Sequence, residues 1–409
     1  MSPLSTNETK AFLDGGKAAV QALRRAFSDV LVSAGADPAR PQDVSRRFGL
    51  DKTLSWRIAR VIREEDAWEA VAHIPRRPSV RIFVGKMAKH GVPQEKLDAL
   101  LASVNEFERF IEVHTGDRET LEMMVGAAAK RSADKRMETF RKNGFQSNSA
   151  VWGVRAKLQF SASFVFPSSV PGHVNTAMIC GFGALRRLRP NVPWTIASAT
   201  AWDFEGNPEA GSVGPPEPLL AEGLVSGAPL LPEFCSDPMP ILRTIRAPGL
   251  SRFELVEGPV GNTAAATVVL GWKWPILAPK KQTRPGEMGE HGMRLSTPVE
   301  LAIGDLFIHR SLDFAMHVKA SVYSDLPRGP RYPEDGEEAG LLPMPSTVTD
   351  LGEGPPDTTT PEMPRYTELV DYAVSRLGCS SEEFHGFRYR LRYPPIPTLA
   401  LLRHPLLPM

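Results

Sequence analysis

The sequence predicts an α+β protein, with an N-terminal helical region that contains a helix-turn-helix and a larger β-rich domain behind it. Three observations carry this expectation. Apolar residues recur at helical spacing through the first third, the period changes to two near Val151, and two short amphipathic segments flank Gly49 between Pro41 and Arg63. The division expected is 1–90 for the helix-turn-helix domain, 91–148 for a helical connector or dimerisation region, and 149–409 for a β-rich domain of unknown role with Pro/Gly-rich loops.

The elements follow in order. Val20, Leu23, Phe27 and Leu31 fall at helical spacing, and Gly35 with Asp37-Pro38 supplies a stop. Behind Pro93, the residues Leu97, Leu100, Val104, Phe107 and Ile111 form a second apolar stripe. A third helix is expected from Asp117, an N-cap residue, through Leu121, Met124, Val125 and Ala128 into Met137 and Phe140, with Gly144 as its end. From Trp152 to Phe166 apolar residues alternate with Arg155, Lys157, Gln159, Ser161 and Ser163, which predicts one long strand with one face on a core.

Further strands are expected over 195–204, 264–274, 299–309 and 314–323, where β-branched and aromatic residues are bounded by Gly or Pro. A helix over 367–377 closes on Gly378. A closing strand then sets Phe387, Tyr389, Leu391 and Tyr393 against Arg388, Arg390 and Arg392. Pro and Gly gather over 207–240, 275–293 and 325–365. The last stretch is also acidic, so it is expected to lie on the surface and be largely irregular.

Composition narrows the function classes. The 409 residues are 42% hydrophobic and 23% charged, enough for ordinary cores. With 48 Lys and Arg against 47 Asp and Glu, no global field draws the chain to nucleic acid or membrane, so any electrostatic partner must meet a local patch. Three scattered cysteines, Cys180, Cys235 and Cys379, do not form a disulfide framework, which suits a cytoplasmic setting. Neither a signal peptide nor a membrane span is expected.

Pro41 to Arg63 reads as a chemical device. Pro41 suits the first turn of a helix with Val44 and Phe48 inward, and Gly49 makes the turn. A second helix from Lys52 places Leu54, Ile58, Val61 and Ile62 on one stripe and Lys52, Thr53, Trp56, Arg60 and Arg63 opposite, with Arg57 at the edge. Recognition of DNA by such a hairpin needs this division, because the second helix must anchor by one side and offer donors to phosphates and base edges from the other.

The segment resembles the helix-turn-helix of bacterial winged-helix transcriptional regulators, and in particular the G-L-P-K-S-T-V-H-R-L-L run of IclR-type proteins. Gly49, Leu50, Lys52 and Arg57 match, while Thr53 and Ile58 match in type. Asp51 stands where that family has Pro, and Ser55 where it has an apolar residue. The resemblance covers residues 39–63. It implies a winged-helix-like fold with a wing over 74–84, double-stranded DNA as partner, and transcriptional control. Lys52, Thr53, Trp56, Arg57 and Arg60 would then enter the major groove, with Arg46 and Arg47 nearer the backbone. The β-rich domain would supply homodimerisation or sensing of a small-molecule effector. The alternative reading of the same residues is a helical hairpin with a solvated basic face.

Local charge bears on the choice. Residues 37–90 hold twelve Lys and Arg against seven Asp and Glu, although Glu64, Glu65, Asp66 and Glu69 follow the second helix closely. Lys130, Arg131, Lys135, Arg136, Arg141 and Lys142 form a second basic run, either a nucleic-acid track or a solvated helix face. Arg388, Arg390 and Arg392 read as an anion ladder, as protection of a sheet edge, or as partners of the acidic connector. The histidines lack metal-ligand spacing, and no nucleotide or nucleophile motif is complete, so no metal, cofactor or catalytic residue is assigned. Two rivals to DNA binding remain: a structural or assembly protein acting through protein contacts, and an enzyme with an unrecognised site in the β-rich half.

Overall fold

The computed structural model describes residues 3–128, 133–190, 192–200, 217–220, 224–225, 227–247, 250–256, 258–325 and 339–409. The chain is α+β and divides into two compact units, Met1–Thr139 and Phe140–Met409. The basic residues Lys130 and Arg131, the side chains of Lys135 and Arg136, and parts of the first and last Pro/Gly-rich stretches lie outside the described residues.

The regular elements among the first unit's described residues are all helices: α1 (Pro3–Ser33), α2 (Pro41–Phe48), α3 (Lys52–Arg63), α4 (Ala67–Val71), α5 (Arg77–Lys89), α6 (Gln94–His114), α7 (Arg118–Ala128) and the start of α8 (Ala133–Trp152). Val20, Leu23, Phe27 and Leu31 of α1 are buried, as are all five stripe residues of α6, and the two helices pack together. Asp117 caps α7, its carboxylate accepting the Thr120 N–H at 2.8 Å.

Two expectations fail in this unit. Residues 77–84, most of the expected wing, are α5. Pro78 opens that helix, and Val80, Phe83 and Met87 bury at i, i+3 and i+7, so helical period outweighs the β-branched content. Nor is 91–148 a separate connector: α6 lies in the core of the first unit, while residues from Phe140 belong to the second.

The change of period falls later than expected. Helix α8 (Ala133–Trp152) runs through Gly144, because one helical glycine costs only about 1 kcal/mol and the adjacent Phe145 is buried. It ends at Gly153, whose φ of 71° suits a residue without a Cβ. Trp152 is therefore helical, and the strand begins at Val154.

The second unit contains β1 (Val154–Pro167), β2 (His173–Arg187), β3 (Trp194–Thr200), β4 (Glu217–Pro218), β5 (Leu224–Val225), β6 (Ala228–Pro229), β7 (Leu242–Ala247) and β8 (Leu250–Leu255). There follow β9 (Ala266–Pro279), β10 (Met288–Leu295), β11 (Val299–His309), β12 (Lys319–Ser324), β13 (Thr349–Glu353), α9 (Tyr366–Arg376), β14 (Phe384–Arg392) and β15 (Thr398–Pro405). A seven-stranded sheet runs β13-β14-β11-β1-β2-β9-β4, and two three-stranded sheets run β10-β15-β12 and β3-β8-β7. The strand expected over 314–323 starts only at Lys319, and the last strand is β15, not the arginine-rich β14.

β1 is the centre of the large sheet, antiparallel to β2 and parallel to β11. Its alternation suggested one buried face, yet both are covered. Leu158, Phe160, Ala162 and Phe164 pack with Tyr366, Leu369 and Val370 of α9. Val154, Ala156 and Val165 join a second core containing Leu295, Ala400 and Leu402 from the β10-β15-β12 sheet. Gln159, Ser161 and Ser163 are buried as well.

The arginine ladder resolves into ion pairs. Arg388 is 4% exposed and grips Asp305 of β11 with Nε–Oδ1 2.8 Å and Nη2–Oδ2 2.7 Å, while Tyr366 donates to the same carboxylate at 2.9 Å. The remaining Arg388 donors reach the carbonyls of Thr358 and Thr359 at 3.0 Å. Arg390 bonds Glu362 at 2.5 Å and Thr360 at 3.2 Å, and Arg392 is exposed. The described part of the acidic stretch is mostly exposed and irregular, as expected, but it is pinned where 349–353 form the edge strand β13 and where Thr358 and Thr360 are buried.

Removing one partner of a buried, hydrogen-bonded pair leaves the other charge unmatched. Arg388→Met is therefore expected to lower unfolding stability by about 3–5 kcal/mol, against about 0.5 kcal/mol or less for exposed Arg392→Met. Urea unfolding of the full chain measures both; equal midpoints for the two variants would refute this account.

A second test concerns acid. His291 on β10 and His404 on β15 stack with centroids 5.3 Å apart and Nε2 atoms 3.3 Å apart. Desolvation, then the neighbouring imidazole, push His291 down to about 3, and desolvation lowers His404 too. The folded chain keeps these rings neutral where an unfolded chain would protonate them from about pH 6.5 downward. Stability from this source is complete above that pH and is lost progressively as pH falls toward about 3. The urea midpoint followed against pH should decline over this window, and His291→Phe should flatten the decline; an unaltered slope counts against it.

Candidate nucleic-acid interface

Each part of the α2–α3 hairpin has a local cause. Pro41 lies in the first turn of α2, and Val44 and Phe48 are buried. Gly49 closes the helix at φ 58°, ψ 39°, a left-handed conformation that a side chain disfavours. Leu50 N–H donates to the Ser45 carbonyl at 3.1 Å, and Ser45 Oγ donates back to the Leu50 carbonyl at 2.8 Å. Asp51, where the resembling family has Pro, is the N-cap of α3 and accepts the Leu54 N–H at 3.1 Å. Ser55 is 2% exposed, and its hydroxyl has no partner among the described residues.

Helix α3 is anchored from inside. Leu54, Ile58, Ala59 and Val61 are buried, and Ile62 is half-buried. Arg24 of α1, itself buried, donates to the carbonyls of Val61 at 2.9 Å and Asp66 at 3.0 Å, fixing the end of the helix.

All seven residues assigned to the interface are exposed: Arg46, Arg47, Lys52, Thr53, Trp56, Arg57 and Arg60. They are not equally free. Arg47 lies over the Phe48 ring at 5.2 Å and donates to the Gly35 carbonyl at 2.5 Å, a structural commitment. Arg60 lies over the Trp56 ring at 5.1 Å, and its Nη1 is 3.9 Å from Glu64. Lys52 and Arg57 have no protein partner among the described residues. Trp56 is 51% exposed and meets His73 edge-on.

One neighbour was not assigned from the sequence. The Nζ of Lys86, on α5, comes within 3.4 Å of where a Gly49 Cβ would sit, so it adds a cation beside the turn. Lys86 is one of the twelve basic residues of 37–90, but its place beside the hairpin follows only once 77–89 is a helix.

Acids border the other end. A cleft of about 570 Å³ is lined by Trp56, Arg60 and Arg63 together with Glu64, Glu65, Asp66 and Glu69. Asp66 is turned to the backbone as the cap of α4, accepting the Trp68 N–H at 2.8 Å. The basic face of α3 is therefore least encumbered over its first turns, at Lys52, Thr53, Trp56 and Arg57.

Of the other candidates, Arg141 reaches Met344 Sδ at 3.8 Å and Lys142 lies 6.0 Å from the Tyr393 ring. Burial pushes the Cys180 thiol up to about 12, which makes it a poor nucleophile. Among the described residues no group of three His, Cys, Asp or Glu is placed to hold a metal, and no helix is long and apolar enough to cross a membrane.

No protein-family model matches the chain, and no curated protein matches it. Among solved structures, the chain is similar at 8% identity and a TM-score of 0.24 to one from Parabacteroides distasonis ATCC 8503 described as a "putative protease". The match covers 61% of this chain and 40% of that one, and a likeness this slight carries no argument.

The turn itself can be tested. Gly49→Ala forces a Cβ into the left-handed region and should cost about 1–2 kcal/mol. Gly91, also at positive φ but outside the hairpin, serves as a comparison. Thermal unfolding with amide exchange in α2 and α3 reports the effect; a Gly49→Ala chain as stable as the parent, with unchanged protection, contradicts the turn assignment.

Proposed function

We propose that the protein binds double-stranded DNA through the α2–α3 hairpin and acts in transcriptional control. The observation that carries this reading is the division of α3: one side is locked into the core by Leu54, Ile58 and Val61, and the other leaves Lys52, Thr53, Trp56 and Arg57 exposed on a rigid helix. In this reading the first turns of α3 enter the major groove, with Lys52 and Arg57 as donors to base edges or phosphates and Trp56 as an apolar contact. Arg46 and Lys86 flank the groove nearer the backbone. Arg47 contributes by holding the α1–α2 corner, and Arg60 by ordering Trp56. The sheet-rich unit would supply dimerisation or effector sensing, as in two-part regulators.

The acid-lined cleft favours a second reading, in which this face receives a cationic protein segment and the hairpin serves assembly. One experiment separates the two. With the full chain and pooled genomic fragments at matched salt, Lys52→Ala plus Arg57→Ala should abolish selective shifts and leave folding intact. For each phosphate contact removed, the salt slope should fall by about one. Ile58→Asp is the contrasting control, since it buries an unpaired charge and should unfold the hairpin. DNA binding is refuted if the parent shifts no duplex, or if the double variant binds every duplex as the parent does.

A further inference from the structure

The second unit holds a cleft that the DNA reading does not use. It lies between the last turn of α8, the start of β3, the turn between β10 and β11, and the turn before β15, and it encloses about 480 Å³. That volume is in the range of small-molecule sites.

Its walls are chemically selective. Trp152 and Trp194 meet at 64° with centroids 6.1 Å apart, forming an aromatic corner. The Trp194 indole is held by its Nε1–H, which donates to Thr297 Oγ1 at 2.9 Å. Trp152 is nonetheless 50% exposed, a large area of indole left to water. Pro193 and Pro397 continue the apolar wall.

The polar groups are few and uncharged. Asn148, Thr195 and Ser296 line the cleft, one from each of three separate elements, and their side chains have no protein partner among the described residues. None of the described lining residues carries a charge. A charged ligand would lose its hydration there without a counter-ion. A sugar ring would set many hydroxyls against a lining in which Trp and Pro outnumber polar groups. A flat ring with two or three polar edge atoms meets both conditions: its faces stack on indole, and its edge pairs with one amide and two hydroxyls.

We propose that this cleft binds an uncharged heteroaromatic small molecule, stacked in the Trp152–Trp194 corner and hydrogen-bonded at its edge by Asn148, Thr195 and Ser296. The site stands on the second unit alone, so its failure and that of the DNA reading are separate results.

The test is calorimetric titration of the full chain with adenine and with nicotinamide as neutral ring probes, beside benzoate as a charged ring and glucose as a neutral sugar. Saturable binding of a neutral ring, with benzoate and glucose inert, is the result expected. Trp152→Ala should weaken that binding about tenfold, the scale of losing one stacking partner. Trp56→Ala, in the other unit, should leave it unchanged. Should Trp152→Ala fail to fold by circular dichroism, the Asn148→Ala, Ser296→Ala double variant decides, since both side chains are partly open to solvent. No saturable binding of either neutral ring, preferential binding of benzoate or glucose, or equal binding by the folded variants would overturn the proposal.

Discussion

A strand covered on both faces governs the second unit. β1 lies between β2 and β11 and buries most of its residues, polar ones included, so each side of the sheet must be roofed by something else. Helix α9 roofs one side, and the small β10-β15-β12 sheet contributes to the other. The neighbouring strand β11 then carries Asp305, a carboxylate at 3% exposure that burial alone would drive toward its neutral form. Arg388 from β14 and Tyr366 from α9 meet it. A single buried acid thereby ties two strands and the covering helix, and through the Thr358 and Thr359 carbonyls it also fixes the segment after β13. Such a pair is expensive to desolvate, and what it supplies is geometric definition, because only one arrangement satisfies all its donors and acceptors.

The helical unit solves a different problem, which is to hold a short hairpin rigid while leaving one side of it in water. A twelve-residue helix is marginal by itself. α3 is supported by its buried stripe, by the Asp51 cap at one end and by Arg24 at the other, where the guanidinium takes up carbonyls the helix leaves open. Burial lowers Arg24 while Glu64 and Asp66 oppose the shift, so those acids offset part of the cost of burying a guanidinium that stays charged. This gives a structural reason for negative charge at the end of an otherwise basic helix. It also explains why the open cations of α3 are those of its first turns.

What the sequence determined by itself was local. Helical period placed α6, α9 and the end of α1 within a few residues, though not the start of α1, because a 3.6-residue stripe is legible without knowing its partner. The hairpin was legible for the same reason: Pro41, Gly49 and the Lys52–Arg63 stripe each act within a turn or two. All seven residues assigned to the candidate interface are exposed, as their helical positions implied. Cap and turn chemistry at Asp117 and Gly49 is likewise short-range.

Tertiary structure decided what depends on distant partners. Alternation along β1 could not reveal that Ser161 and Ser163 lie on a buried face opposite the one α9 covers, since the β10 chain that meets Gln159 on that face comes from more than a hundred positions away. The β-branched run before Lys86 became a helix because Val80, Phe83 and Met87 found a helical core, and with it Lys86 reached the Gly49 turn. Gly144 was read as a helix end, a local inference that burial of the adjacent Phe145 overrode. Arg388 is the sharpest case. Its strand and its alternation were visible, but whether a guanidinium on a strand faces water or a buried carboxylate depends on which strand lies beside it, and pairing across eighty residues is set only by the fold.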